Sequence, residues 1–220
     1  MRVREYLGID DRRQRQLVWA MEVCLVGMFF IGLDRGNTGI IVNTAVALGV
    51  TRLPSLLERD FSIPMDPGLT LWITTAVFLH ALGTVGLPKM NSPFYQSVWW
   101  WDHLTHTLSA TVVAAVGYSG ARALELHSDS NRFPGPFMFV YILLFVIAFG
   151  VLWEVIEFLI GEVAALVGAT SVLTQYGVED TMLDLVFNTI GAVIVAVWGT
   201  AHLTDVAHAL STRLALRRAD

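Results

Sequence analysis

Apolar residues run in stretches long enough to cross a lipid bilayer, and polar positions inside those stretches are few and clustered. A hydrocarbon core of ~30 Å takes about 20 helical residues per crossing. By that measure the pattern predicts about six transmembrane helices, near 17–34, 38–56, 67–87, 99–122, 136–166 and 181–206. Asn43 and Pro54 interrupt the second, which makes it the least regular. No linker, repeat or shift of composition divides the chain. The expectation is an all-α, polytopic membrane helical bundle forming a single integral domain over 1–220.

Composition agrees with that reading. The chain is 55% hydrophobic and 15% charged, with a mean hydropathy of +0.59, a poor fit to a soluble globular domain. Arg2, Arg4, Arg12, Arg13 and Arg15 precede the first apolar run, as in a secretory leader. The run reaches Phe30-Ile31 without a small-residue cleavage pattern, so a retained first helix is expected. The single Cys24 lies inside it and excludes an intramolecular disulfide.

Charge then sets orientation. With six crossings and a cytoplasmic N-terminus, the cytoplasmic segments hold Arg2, Arg4, Arg12, Arg13, Arg15, Arg52, Arg59, Arg122, Arg132, Arg213, Arg217 and Arg218. Only Arg35 and Lys89, of the 14 basic residues, fall outside. Both termini are therefore expected in the cytoplasm of a multi-pass protein of the cell membrane. Trp19 and Trp72 fall near inner ends, and Trp99, Trp100 and Trp101 mark an outer interface. The arginines fit topology signals, so nothing points to nucleic acid.

Three motifs break the apolar pattern: Asp102-His103-x-x-His106, Glu154-x-x-Glu157 and Asp180-x-x-x-Asp184-x-x-x-Asn188. A central acid or base costs about 2.5–3.5 kcal/mol to insert, so this set would cost roughly 15–25 kcal/mol if left unpaired in lipid. The topology places all three in the outer half of the fourth, fifth and sixth spans, at overlapping depth. Residues three or four apart share a helix face, so Asp102 or His103 can point with His106, and Glu154 with Glu157. Gly191 continues the Asp180–Asn188 stripe with a small packing contact.

Carboxylates and imidazoles on facing helices are how helical bundles build metal sites. The expected ligands are His106, Glu154, Asp180, Asp184 and His103, for a divalent ion that the mixed O/N set leaves open as Zn, Mn, Fe or Mg. Asp102 and Glu157 are expected to move protons in catalysis. The function that follows is a metal-dependent membrane hydrolase or phosphoryl transferase acting at the outer leaflet. Its substrate would be a lipid headgroup or lipid-linked cell-envelope intermediate. Two other classes use the same residues: a proton- or cation-coupled transporter or channel, and a metal-stapled structural membrane protein. The transporter needs polar residues continuing inward, whereas the fourth span continues as Ala110-Thr111-Val112-Val113-Ala114-Ala115-Val116.

Other polar residues have blander readings. His80 is level with the motifs but reads first as a hydrogen-bonded packing residue. Glu22 has a neighbour to pair with or a proton to hold. His202, Asp205 and His208 recur every three residues but drift around the helix by about 60° per step, as on a solvated helix end. The 168–179 loop has no basic residue and would overhang the site.

At Asp102/His106, Glu154/Glu157 and Asp180-Thr181-Met182-Leu183-Asp184 the chain resembles the YjdF-like family of uncharacterised bacterial and archaeal membrane proteins. The resemblance runs from about Pro54 to Ala196 and includes Ile63-Pro64 and Phe94-Tyr95. A more distant similarity, in Asp102/His106 and Asp184-x-x-x-Asn188-x-x-Gly191, is to VanZ-like proteins, which are associated with the cell envelope. The resemblance implies an integral membrane protein and imports no reaction. Both families usually carry Arg or Lys where this chain has His103; an imidazole can ligate a metal and a guanidinium cannot.

Overall fold

The computed structural model describes residues 10–86, 92–128, 132–173, 175–199 and 203–216, with side chains described except at 198–199. Among them the fold is all-helical. The elements are α1 (Asp11–Asp34), α2 (Thr38–Thr51), α3 (Leu53–Phe61), α4 (Pro67–Gly83), the short α5 (Phe94–Ser97), α6 (Trp101–His127), α7 (Gly135–Leu166), α8 (Val178–Ile194) and α9 (Thr204–Leu216). Four stretches are long and apolar enough to cross a membrane: Asp11–Asp34, Thr38–Phe61, Gly135–Leu166 and Val178–Val197. Helix α4 is a shorter apolar helix.

Helix α6 has the length, at 27 residues, but its first turns carry the histidine motif and its middle is rich in small residues. Ala110, Ala114, Ala115, Gly117, Ser119, Ala121 and Ala123 are buried there, because α6 faces protein, packing on α4, α7, α8 and α9. Small side chains let helix backbones approach closely where lipid offers no hydrophobic drive to association. The low hydropathy of α6 is thus the mark of a central helix.

Local chemistry starts the helices. The Asp10 carboxylate accepts from the Arg13 amide at 2.8 Å and caps α1. Asn37 Oδ1 accepts from the Ile40 amide at 3.0 Å and caps α2. Asp66 Oδ1 takes the amides of Gly68 and Leu69 at 2.7 and 2.9 Å, with Pro67 preset for the first turn of α4. The irregular second span does not break at Asn43. That residue is buried within a continuous α2, and the break comes at Arg52, ahead of Pro54 at the start of α3. Arg52 Nη1 meets Glu22 Oε1 at 3.5 Å, which gives Glu22 a partner.

The expected sixth span, 181–206, is not one straight helix. Helix α8 ends at Ile194 in a π-helical turn over Val195–Gly199, and a separate helix begins at Thr204. A β-branched run (Val193, Ile194, Val195, Val197) followed by Gly199 is a weak place to continue an α-helix. Helix α9 packs on α6 through buried Leu203 and Ala207.

Two cores result. Leu25, Met28, Ile40, Ala47, Ala81 and Val85 join α1, α2 and α4. Ala110, Ala114, Ile142, Val146, Ala192 and Val195 lead a second core, of α6, α7 and α8, which also takes Leu69 from α4. Helix α4 bridges the two, and Trp72 Nε1 donates to Thr111 Oγ1 at 2.9 Å. Losing that bond in Trp72→Phe should cost about 0.6–1.7 kcal/mol, the range for hydrogen bonds between membrane helices, read as a fall in unfolding midpoint.

At one end of the bundle Arg213 donates to the Asp60 carbonyl at 3.3 Å and to Ser62 Oγ at 3.2 Å, while Arg122 pairs with Glu125 at 2.5 Å. Glu125 also accepts from the Phe133 amide at 3.3 Å. These contacts gather the α3–α4 turn, the end of α6, the start of α7 and α9 on one side. That is the side expected to hold Arg52, Arg59, Arg122, Arg132 and Arg213. Arg2, Arg4, Lys89, Arg217 and Arg218 lie outside the described residues.

Candidate metal and binding site

All three motifs meet at the opposite end. Helix α7, at 32 residues, is about 48 Å long at 1.5 Å per residue, and Glu154 and Glu157 fall in its C-terminal half, away from the arginine-bearing end. Asp102 and His106 occupy the first two turns of α6, and Asp180 and Asp184 the first two of α8. Acids there also sit against the positive ends of the helix dipoles.

The core of the site is Asp102, His106 and Asp184. His106 Nε2 lies 3.5 Å from Asp102 Oδ1 and 3.7 Å from Asp184 Oδ1. One ligand atom from each residue falls within 4.8 Å of the other two. Asp184 is 1% exposed, and its Oδ1 has no hydrogen-bond partner. A charge-assisted N–H···O bond closes to about 2.7–2.9 Å. The observed separations are longer and close to the roughly 3.4 Å edge that 2.0–2.2 Å bonds give around a tetrahedral ion. Two carboxylate oxygens and an imidazole nitrogen are a donor set that could hold a divalent ion.

Close helix packing makes the triad possible. A Cβ on Gly191 would run into the Thr107 carbonyl oxygen and lie 2.8 Å from Ala110 Cβ, so only glycine lets α8 approach α6 here. Thr107 Oγ1 donates to the Phe187 carbonyl at 3.3 Å across the same contact. On α7, Gly150 leaves room for Asn188, whose Nδ2 lies 2.8 Å from where a Cβ would stand.

The remaining motif residues surround the triad with partners of their own. Glu154 Oε2 accepts from the Thr181 hydroxyl at 2.9 Å, which accepts from Gln175 Nε2 at 2.9 Å; Glu154 Oε1 is buried without a partner. Asp180 Oδ2 accepts from the Tyr176 amide at 3.0 Å. His103 turns to the other flank of α6, where its ring stacks on Phe187 with centroids 4.2 Å apart and 6° between planes. The structure therefore groups His106 and Asp184 with Asp102, which had been expected to carry protons, and holds Glu154, Asp180 and His103 in separate contacts.

A cavity of about 210 Å³ adjoins the triad, walled by Asp102, His106, Glu157, the start of α2 and the loop after α7. Thr170, Ser171, Val172, Leu173 and Tyr176 from that loop form its outer wall, where the sequence placed an overhang. Asn43, the interruption in the second span, has a task here: Nδ2 donates to the carbonyls of Gly39 at 2.8 Å and Val172 at 2.9 Å, tying α2 to the loop. Asn43→Ala should raise amide hydrogen exchange in 170–173 while leaving α2 protected.

His80 also lines this cavity, so it is more than a packing residue. Its Nδ1 shares a 2.8 Å hydrogen bond with the Tyr95 hydroxyl, which donates to Thr105 Oγ1 at 3.4 Å. Burial pushes the Tyr95 phenol up, keeping it an uncharged donor. In the sequence Tyr95 stands out only through the resemblance that includes Phe94-Tyr95, because four-residue α5 has no periodicity to read. The tryptophan run divides: Trp99 is 82% exposed, as an interface anchor should be, but Trp101 is 8% exposed. It stacks on Phe94 and donates to the Leu79 carbonyl at 3.2 Å. Asp205 and His208 are exposed on α9, and His202 lies outside the described residues.

The chain is 28% identical over 147 residues to an uncharacterized protein of Thermotoga maritima, an alignment covering 65% of this chain and 67% of that one. No solved structure matches it. The model of a family described as "Predicted membrane protein (DUF2238)" matches residues 16–205. The chain is a multi-pass membrane protein and belongs to the DUF2238 family.

Proposed function

We propose that this protein is a metal-dependent membrane enzyme, a hydrolase or phosphoryl transferase, acting on a lipid headgroup or lipid-linked envelope substrate at the outer leaflet. The observation that carries the reading is His106 Nε2 standing 3.5 and 3.7 Å from two carboxylates, one of them fully buried with an unpartnered oxygen. A polar staple would close to hydrogen-bond length; a shared divalent ion would hold the three groups apart. Such an ion supplies Lewis acidity and a water acidic enough to act near pH 7.

The protein's own groups supply the rest. Asp102, His106 and Asp184 would hold the ion. Glu157 lines the cavity beside them and would take a proton from an attacking water. His80, hydrogen-bonded to Tyr95, would return one to a leaving group. Lipid as substrate is favoured by a groove of about 270 Å³ between α7 and α8, lined by Val151, Val155, Phe158 and Leu185, with Glu154 among its walls. It lies on a flank where Val151, Val155 and Phe158 are exposed, so an acyl chain of the bilayer can lie in it one helical turn from Glu157.

The test is elemental analysis of protein purified without chelator, followed by incubation with short-chain phospholipids and short-chain glycolipids. About one divalent ion per chain, and turnover abolished by chelation and restored by metal, is the expected result. Metal-free protein that hydrolyses nothing would overturn it.

A further inference from the structure

We infer that the outer cavity is a recognition site for an uncharged, hydroxyl-rich headgroup, a saccharide or polyol. This rests on the proposed function, because it names the substrate class of the same site.

The inference comes from what the wall offers. Among the described residues lining the cavity there is no lysine or arginine. Sites for phosphate or carboxylate use guanidinium forks, ammonium groups or open helix N-termini. Three helix starts do converge here, but the protein already answers each of them. Asn37 Oδ1 caps the Ile40 amide of α2, Asp102 sits in the first turn of α6, and Glu179 and Asp180 occupy the first turn of α8. Beyond the ion proposed on Asp102, His106 and Asp184, an anionic headgroup in the cavity would meet Glu157 with no lysine or arginine in the described wall to offset it.

The side chains that remain are neutral donors and acceptors. With Oδ1 used in the cap, the Asn37 amide NH2 remains to donate. Asn43 is the converse: Nδ2 serves the Gly39 and Val172 carbonyls, and Oδ1 remains to accept. Gln96 and Tyr176, hydrogen-bonded to each other, complete the wall with Thr170, and each keeps a further polar position for a ligand hydroxyl; Glu157 adds a carboxyl acceptor. Burial pushes the Tyr176 phenol up, so it too is an uncharged donor. Alternating amide and hydroxyl groups, an acid and the aromatic edges of Tyr95 and Tyr176 form a lining that pairs with vicinal hydroxyls, each of which both donates and accepts. An ammonium headgroup would use the acids and leave these amides unpaired, which is costly in an enclosed site.

The test uses the full chain purified in a polyoxyethylene-ether detergent. Octyl β-glucoside below its micelle concentration, octylphosphocholine, free glucose and inorganic phosphate are titrated separately. Binding is read by native mass spectrometry and by the unfolding midpoint. The expected result is one octyl glucoside per chain, bound at least about tenfold more tightly than octylphosphocholine, and at least about tenfold more weakly by Gln96→Leu/Tyr176→Phe, the loss of one to two hydrogen bonds. Glucose binding far more weakly than its octyl glycoside supports a lipid-linked source, and equal binding supports a soluble one. Glucoside bound no better than phosphocholine, or equally by the double variant, would overturn the inference. Metal content is measured on the same samples. Stoichiometric metal without glucoside binding removes this inference alone, and glucoside binding by metal-free protein removes the enzyme reading alone.

Discussion

Asp184→Asn should abolish stoichiometric metal binding and reverse its sign on stability. The change is nearly isosteric and keeps the side chain's place between α6 and α8. What it removes is the negative charge and one oxygen of the pair that faces His106. Loss of an outer-shell partner lowers metal affinity about 10–100-fold, so loss of a direct ligand should lower it by at least about 100-fold. Elemental analysis after dialysis would read this as an ion lost from the variant and kept by the wild type. His103→Ala, stacked on Phe187 away from the triad, should retain the metal. Asp180→Asn, bonded to the Tyr176 amide, should retain it too.

The stability readout separates this from a purely structural network. A buried carboxylate with an unpartnered oxygen destabilises the metal-free protein, and the amide relieves much of that cost. In chelator, Asp184→Asn should therefore unfold at or above the wild-type midpoint. With metal at about 100 times its dissociation constant, the wild type gains about 2.7 kcal/mol and should overtake the variant. If the triad were only helix glue, the variant would be the less stable protein under both conditions and metal would move neither midpoint.

Much of this arrangement was legible in the chain, for identifiable reasons. Crossing a bilayer demands length and hydropathy, so the long apolar helices and the meeting of the motifs at one end of the bundle follow from elementary constraints. Direction around a helix is less determined. Both His103 and Asp102 are on turns adjacent to His106, and spacing permits either diagonal. The choice is made by how α8 crosses α6: Phe187 occupies the side His103 faces, and Asp184 the side of Asp102. Depth is a one-dimensional quantity carried by the sequence; crossing geometry depends on the partner helix.

The same distinction explains Glu154, Trp101 and Asn43. Glu154 and Glu157 share a face, but one meets Thr181 and the other the cavity, because α8 and the following space divide that face. Trp101 belongs to an aromatic run that looks like an anchor, yet the fold of 94–101 turns it under Phe94. Asn43 looks like a flaw in an apolar helix until Val172, distant in sequence, supplies its partner. Polar residues that seemed out of place in a span proved to be the ones that long-range contacts use.

Gly191→Ala should be the most damaging single-methyl change in the bundle, and it should act on site and stability together. The added Cβ would strike the Thr107 carbonyl oxygen, with Ala110 Cβ at 2.8 Å and the Thr111 amide nitrogen at 3.2 Å. All but the Ala110 methyl are backbone atoms of α6, so no rotamer change relieves the contact and the two helices must separate. Overpacking of this kind costs about 1–3 kcal/mol, and here the displacement widens the gap between Asp184 and the His106–Asp102 pair. The expected result is a fall in unfolding midpoint accompanied by loss of metal affinity. Gly161→Ala on α7 is the matching control, since a Cβ there meets nothing within 4 Å and a mid-helix alanine is favoured by up to about 1 kcal/mol. A Gly191→Ala protein with unchanged midpoint and full metal content would mean that α6 and α8 do not touch at Thr107, and the triad drawn from their contact would fall with it.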